Sequence, residues 1–322
     1  VDRYGTGSLK WERYKGRDII PLWVADMDFV SPPAVIAALH RRVDHGIFGY
    51  TVPPTELIDL VCDRMRQKYR WRVLPEWVVW LPGLVTGLNV CCRAIGAPGD
   101  EVMTTVPIYP PFLTAPKLSK RQRIDVSLKK DRGRWMLDMD QVAASMSTRT
   151  VLLLLCNPHN PAGRVFNRKE LEQLADICLK KDVVICSDEI HCDLILDRDK
   201  DHTPLAALDN EIARRTITLM APSKTYNIPG LGTSFAIVAD DGLRRRLKRI
   251  MQGIVPWING LGFSAAMAAY EQSDAWLAAL IDYLRGNRDL VMADIENMPG
   301  LTTTPVEATY LAWIDCRNLG VA

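Results

Sequence analysis

The sequence has almost no net charge, no paired-cysteine motif and no apolar run longer than a strand. Over 322 residues the formal net charge is +2, which leaves no electrostatic footprint for a nucleic acid. The one dense basic cluster, Arg244-Arg245-Arg246-Leu247-Lys248-Arg249, reads as the solvated face of a helix. The longest aliphatic run, 151–155, is far short of the ~20 residues a membrane span requires. No charged-then-apolar leader opens the sequence, so a cytoplasmic location is expected. Eight cysteines (Cys62, Cys91, Cys92, Cys156, Cys178, Cys186, Cys192 and Cys316) are scattered without a CxxC pair or a zinc-like Cys/His spacing. Buried reduced thiols and no metal are the expectation. No strand-like run is followed by G-x-G-x-x-G, which counts against a nicotinamide-dependent oxidoreductase. Internal repeats, low-complexity segments and long linkers are also missing.

What is present is an ordinary globular composition, 48% hydrophobic and 24% charged, long enough for one large domain and a smaller one. After a mixed start, Ser31-Pro32-Pro33 signals a helix over 34–43, and apolar periodicity marks another over 56–69. Strands and helices then alternate. Strands are expected at 77–81, 101–106, 123–128, 150–156, 183–187, 216–220 and 234–238. Helices are expected from 84 to about 94, at 138–146, at 168–180 and from 241. The near-continuous aliphatic run at 150–156 suits a parallel strand covered on both faces. The alternation predicts a doubly wound α/β sheet. Beyond about 264 the pattern is helical, with one long apolar-periodic stretch at 265–292 and a last strand expected at 310–314.

In open parallel sheets, ligands sit outside the carboxyl ends of the strands. Five strand ends here offer chemistry to one rim: Asn157-Pro158-His159-Asn160-Pro161-Ala162-Gly163, Asp188-Glu189-Ile190-His191, Ala221-Pro222-Ser223-Lys224-Thr225-Tyr226-Asn227, Pro107-Ile108-Tyr109-Pro110-Pro111, and the turn at Gly83 that opens a helix. Each has a plain structural reading as a turn, a helix-start charge pair or a packed aromatic. Together they match what pyridoxal phosphate (PLP) needs. Lys224, just past a buried strand, can be a neutral amine that forms a Schiff base with an aldehyde. Asp188 can keep the pyridine nitrogen protonated, and Asn160 can donate to the ring oxygen. Tyr109 can cover the ring. Backbone N–H groups of Gly83, Leu84 and Val85, with the Ser223 hydroxyl, can take the phosphate. His191, beside Asp188, belongs to the same cofactor-binding set.

These motifs resemble the aminotransferase-like, fold type I PLP enzymes: Asn-Pro-x-Asn-Pro-x-Gly at 157–163, Ser-Asp-Glu-Ile-His at 187–191 and Ser-Lys-Thr-Tyr-Asn at 223–227. Val1-Asp2-Arg3-Tyr4-Gly5-Thr6, Ala25-Asp26-Met27-Asp28-Phe29, His45-Gly46-Ile47-Phe48-Gly49-Tyr50 and Tyr310-Leu311-Ala312-Trp313 resemble the branch of C–S lyases and cystathionine β-lyases related to the maltose-regulon modulator. The resemblance runs end to end. It implies a large domain with a mostly parallel seven-stranded sheet, one strand antiparallel, over 46–270. The smaller α/β domain would be built from 1–45 and 271–322. It implies Lys224 as the lysine that carries the cofactor, Tyr50 reaching the phosphate of a neighbouring subunit's cofactor in a homodimer with shared sites, and Trp23 and Asp26 lining the substrate entrance. The implied reaction is β-elimination of L-cystathionine or a related cysteine S-conjugate to a thiol, pyruvate and ammonia. An aminotransferase, or a PLP-binding regulator acting through a protein partner, is the alternative. Two positions depart from the wider pattern: Ala221 stands where a phosphate-binding serine is common, and Gly232 where many aminotransferases have arginine. The second departure favours a lyase. Members of the branch run on for several dozen residues beyond position 322, in a tail that carries an arginine for the substrate carboxylate, so the anchor is expected outside this sequence or incomplete.

Overall fold

The computed structural model describes residues 2–320; Val1, the first residue of the N-terminal signature, lies outside them. In chain order the helices are α1 (Leu9–Glu12), α2 (Pro33–Asp44), α3 (Thr55–Tyr69), α4 (Leu84–Ala94), α5 (Pro110–Leu118), α6 (Met139–Ser145), α7 (Arg168–Lys180), α8 (Asn210–Arg214), α9 (Asp241–Met251), α10 (Gly260–Gln272) and α11 (Asp274–Glu296). The strands are β1 (Val78–Leu81), β2 (Glu101–Val106), β3 (Gln122–Ser127), β4 (Lys129–Asp131), β5 (Arg134–Met136), β6 (Thr150–Cys156), β7 (Val184–Asp188), β8 (Thr216–Met220), β9 (Ser234–Val238), β10 (Thr302–Thr303) and β11 (Ile314–Asp315).

Seven strands form one sheet in the order β1-β9-β8-β7-β6-β2-β3. Only β9 runs against its neighbours. Because β9 separates β1 from β8 and opposes both, β1 also ends on the rim where β2, β6, β7 and β8 end. Period-two alternation explains the layers. From β6, Leu152, Leu154 and Cys156 pack under α4, α5 and α9. Leu153 and Leu155 pack on the opposite side with α6 and α7. All five are essentially inaccessible, and truncating one such leucine to alanine costs about 2–5 kcal/mol. A third cluster joins α2, α3 and α10 to the β8–β9–β1 end. A fourth ties Met27 to Leu194, Leu196, Val306 and the α11 residues Leu280, Ile281 and Leu284. The N-terminal segment thereby leans on the C-terminal helix.

Local chemistry fixes the boundaries. Helix α7 opens with a capping box, Asn167 and Glu170 each bonding the other's backbone N–H. Helix α3 stops where Arg70 turns left-handed at φ 55°. All seven strands of the expected sheet are present, shifted by one residue at β1, β3 and β7.

Two expected elements are corrected. The stretch 265–292 is two helices, because α10 ends at Ser273, whose hydroxyl donates to the Ala268 carbonyl. Only Ile314 of the strand expected at 310–314 is in a strand. Thr309, at φ 70°, diverts the chain so that Tyr310 to Trp313 run irregularly. The segment after β2 is helix α5, started by Pro110 and Pro111 in its first turn, where a missing N–H costs nothing. The β4–β5 hairpin, turning through Arg132 and Gly133 at positive φ, was not expected at all. Six cysteines are buried, but Cys316 is exposed and Cys62 half-buried. Among the described residues, no helix is long and apolar enough to cross a membrane.

Candidate active site

Cys156 lies in register with Asp188, and Asp188 with Leu219, so three of the segments singled out above leave the sheet side by side. Asp188 is the last residue of β7 rather than the first beyond it. It is fully buried. One oxygen accepts the Ile190 N–H at 3.1 Å, and burial, helped by Glu189, pushes its carboxyl up to about 7. Lys224 partly opposes that rise, and Asp188 in turn favours the Lys224 ammonium. Burial nevertheless lowers the Lys224 amine from its ordinary value. A buried carboxylate with no cationic hydrogen-bond partner among the described residues, beside an amine whose burial disfavours its charged form, is a site built for a charged guest.

The remaining rim residues close around this pair. Tyr109 is half-exposed, and its backbone N–H donates to the Asn160 carbonyl at 3.2 Å, coupling the β2 and β6 loops. Burial and the nearby Asp188 push its phenol up. The Asn160 N–H donates to the buried Cys156 thiol at 3.4 Å. His191 is buried with Nδ1 unpartnered, and burial, with Lys224 nearby, drives its imidazole down to about 3, so it is neutral. Helix α4 begins at Gly83 with no side-chain cap, leaving its first-turn N–H groups open. The left-handed Gly232 sits against this turn: a Cβ there would meet the Pro82 carbonyl at 3.2 Å. An arginine at 232 would be strained by the backbone itself. Ser223 is half-buried in the lysine turn, its carbonyl accepting the Ile228 N–H.

The N-terminal segment crosses this rim as a strap. The Asn227 carboxamide accepts the Met27 N–H at 3.0 Å and donates to the carbonyls of Met27 and Phe29 at 2.9 and 2.8 Å. The Ser31 hydroxyl donates to the Asn227 carbonyl. Arg3 bridges Asp26 and Asp28, each at 2.8 Å, and Lys10 and Trp11 also reach Asp28. These donors hold the Asp28 carboxyl down at about 2 against the opposing effect of its burial. Asp26 keeps one oxygen buried and unpartnered. Trp23 is half-exposed under the Arg13 guanidinium, 4.4 Å from its ring. With the strap in place, Lys224 Nζ donates to the Ala25 carbonyl at 2.6 Å.

Tyr50 is not brought to this cluster. It stands 94% exposed, edge-on to Trp257 at 5.3 Å. Several contributors were not singled out from sequence: the Ala25 carbonyl, the tethering role of Asn227 and the Asp193 cluster. Asp193 is buried, paired with Arg64 and Lys68, and accepts a hydrogen bond from the Thr225 hydroxyl. Glu189, beside Asp188, turns away to His202, Ser187 and the Leu205 N–H. A backbone carbonyl leaves no signature in sequence, whereas Asn227 could have been flagged by its place at the end of the lysine motif.

The buried amine, the carboxylate lacking a cation and the open helix start fit PLP: Lys224 for the aldehyde carbon, Asp188 for the ring nitrogen, the α4 N-terminus for the phosphate. Comparison with known proteins agrees. Two curated relatives match this chain over its whole length. It is 38% identical over 333 aligned residues to cystathionine beta-lyase PatB of Bacillus subtilis (strain 168), covering 84% of that protein. It is 31% identical over 332 aligned residues to protein MalY of Escherichia coli (strain K12), again covering 84%. Among solved structures, OvoB superposes with a TM-score of 0.98 at 46% identity, covering all of this chain and 85% of its own. Cystalysin from Treponema denticola, which contains PLP, superposes with a TM-score of 0.95 at 34% identity, covering all of this chain and 84% of its own. The family model described as aminotransferase class I and II matches residues 17–321, and the chain belongs to that family.

Proposed function

We propose that the chain is a PLP-dependent carbon–sulfur lyase that converts L-cystathionine or a related cysteine S-conjugate to a thiol, pyruvate and ammonia. The observation that carries this reading is the pairing of buried Lys224 with buried, cation-seeking Asp188 at adjacent strand ends. It is supported by relatives named cystathionine beta-lyase and by the absence of an arginine at Gly232.

When bound, PLP supplies an electron sink conjugated to the substrate Cα. Asp188 would hold the ring nitrogen in its protonated form, its own charge stabilised by that contact. Asn160 would donate to the ring oxygen, Tyr109 cover one face, and the first turn of α4 with Ser223 receive the phosphate. Lys224, its amine lowered by burial, takes the Cα proton as general base. Loss of that proton allows the sulfur leaving group at Cβ to depart with its electron pair and be released as a thiol. The aminoacrylate product hydrolyses to pyruvate and ammonia. The strap over Lys224 excludes bulk water, and Trp23 and Asp26 line the way in.

Residues 46–270 would form the cofactor-binding domain, since they contain the whole seven-stranded sheet, with 1–45 and 271–322 as the smaller one. A second copy of the chain would complete the site. Tyr50, Ile47 and Phe48 are exposed, too apolar for a free surface, and suited to face a partner. Pyruvate release from L-cystathionine, with Lys224→Ala alongside, tests the reading. Pyruvate lost in the variant supports it. A keto acid formed from the whole substrate skeleton, with loss of the cofactor's visible band, would make the chain an aminotransferase instead.

A further inference from the structure

The Ala25 carbonyl oxygen is shared by donors from distant parts of the chain. Lys224 Nζ donates to it at 2.6 Å and the Tyr310 hydroxyl at 3.1 Å. A carbonyl oxygen has two lone pairs, so the two donors saturate it. Tyr310 is held firmly in this position. Its ring packs edge-on against His191 with centroids 6.1 Å apart. The preceding Thr309 is left-handed, its N–H bonded to the Leu194 carbonyl at 2.7 Å and its hydroxyl accepting the Leu311 N–H. Burial, together with Asp26, pushes the phenol well above its ordinary range, so it is a neutral donor at any working pH.

Resting on the lyase reading, we propose that Tyr310 is a positioning residue for the proton-accepting amine: by occupying one lone pair of the Ala25 carbonyl, its hydroxyl limits that oxygen's hold on the Lys224 ammonium. An ammonium is the stronger donor, so an acceptor freed of its second partner would favour the charged form. The other groups facing Lys224 are Asp26 on the strap and Asp188 on β7, both of which favour the ammonium, and the neutral His191. Arg3, paired with Asp26, tempers the first. With two carboxylates pulling toward the cation, saturation of Ala25 is one of the few features that acts the other way.

The experiment compares native, Tyr310→Phe and Asp26→Asn full-length chains freed of cofactor. Trace acetylation of Lys224 is followed between about pH 6 and pH 10 by peptide mass spectrometry, which reads the amine's own titration. Tyr310→Phe keeps the ring and removes only the hydroxyl; the Lys224 midpoint should rise by about half a pH unit or more. Asp26→Asn should move it down. In the cofactor-loaded enzyme, the acid limb of kcat for pyruvate release should move up in step in Tyr310→Phe, with KM held within about twofold. An unchanged or lowered midpoint in Tyr310→Phe overturns the proposal. So does movement of both variants in one direction, which is general loosening of the strap, or a raised KM with kcat unchanged, which makes Tyr310 a substrate contact. Should the native protein release no pyruvate while the labelling midpoint still rises, the lyase reading fails and the role of Tyr310 beside the amine stands.

Discussion

The rim of the sheet and the strap lying over it meet at the Ala25 carbonyl and at Asn227, yet they are held in place by different physics. Asp188 ends β7, and Asn160 and Lys224 lie in the turns that directly follow β6 and β8, strands paired on both sides and buried on both faces. The strand ends that carry them are anchored in the core. The strap between Ile20 and Val30 has no helix or strand, exposes Ile20 and Leu22, and is tethered by side chains of Arg3, Lys10 and Asn227. Such a segment can open at a small fraction of the global unfolding free energy. A rigid rim fixes where the chemistry happens; a loosely tied strap can admit substrate and then exclude water.

The sharpest way to break the comparison is at the rim. Lys224→Ala should reduce pyruvate release by about a thousandfold or more, because it removes the proposed general base. Asp188→Asn should also cost activity, on the order of a hundredfold, through loss of the charge proposed to hold the cofactor's ring nitrogen protonated. Its effect on stability should have the opposite sign. The Asp188 carboxyl is raised in the folded chain to about 7 from an ordinary 3.8, so folding favours its protonated form. Without cofactor, the native chain therefore loses stability as pH climbs from about 4 to about 7, and the deficit persists above that. The asparagine variant carries no such penalty. Thermal unfolding of cofactor-free protein at pH 8 should show Asp188→Asn melting above the native chain, with the difference gone near pH 4. A lower melting point at both pH values would mean that the carboxylate is not buried as described.

The same division decides what could be read from sequence. The rim was legible because its signals are local: an aliphatic run predicts a strand, and the residue after it falls on the rim whatever the rest of the chain does. Thus 101–106, 150–156, 216–220 and 234–238 match β2, β6, β8 and β9 residue for residue. The strap and the 310–314 segment were not, because their conformations are set by side-chain partners elsewhere in the chain, several of them about 200 or more residues away. Tyr310-Leu311-Ala312-Trp313-Ile314 has the β-propensity of a strand, yet Thr309 turns left-handed and the Tyr310 hydroxyl is drawn to Ala25, 285 residues distant. Tyr50 is legible only as an exposed aromatic, since a single chain gives it no partner beyond Trp257.

An intermediate effect is expected where rim and strap join. Asn227 adopts φ 55° and makes three hydrogen bonds to the strap through its side chain. Asn227→Gly preserves the left-handed backbone without strain and removes only the tether. At about 0.5–1.5 kcal/mol for each of the three lost bonds, a rise in KM of about tenfold or more is expected, with a much smaller change in kcat. Hydrogen exchange should show faster opening across 24–29 and unchanged protection in β6 to β8. Loss of protection in the sheet would show that the strap is part of the core after all.

The smallest effect belongs to the ionic end of the strap, and salt separates it from the rest. Asp28 is bridged by Arg3 from a partly exposed position and by the buried Lys10, and the Arg3 pair has a geometry worth about 0.2–1 kcal/mol in water. Arg3→Ala should raise KM by less than about threefold at low ionic strength. At about 1 M salt, where screening acts over roughly 3 Å, native and variant should converge. The Asp28 carboxyl is depressed to about 2 when folded, so its contribution is fully present above about pH 4 and fades only as pH falls toward 2. Between pH 5 and 8 the strap's ionic tether is therefore insensitive to pH and sensitive to salt. The Asp188–Lys224 pair, shielded from mobile ions by burial, should behave in the reverse manner. Measuring KM and the acid limb of kcat across ionic strength at fixed pH, and then across pH at fixed ionic strength, would resolve the two. If salt moved the kcat limb while leaving KM unchanged, the strap would have to be the buried element and the rim the exposed one.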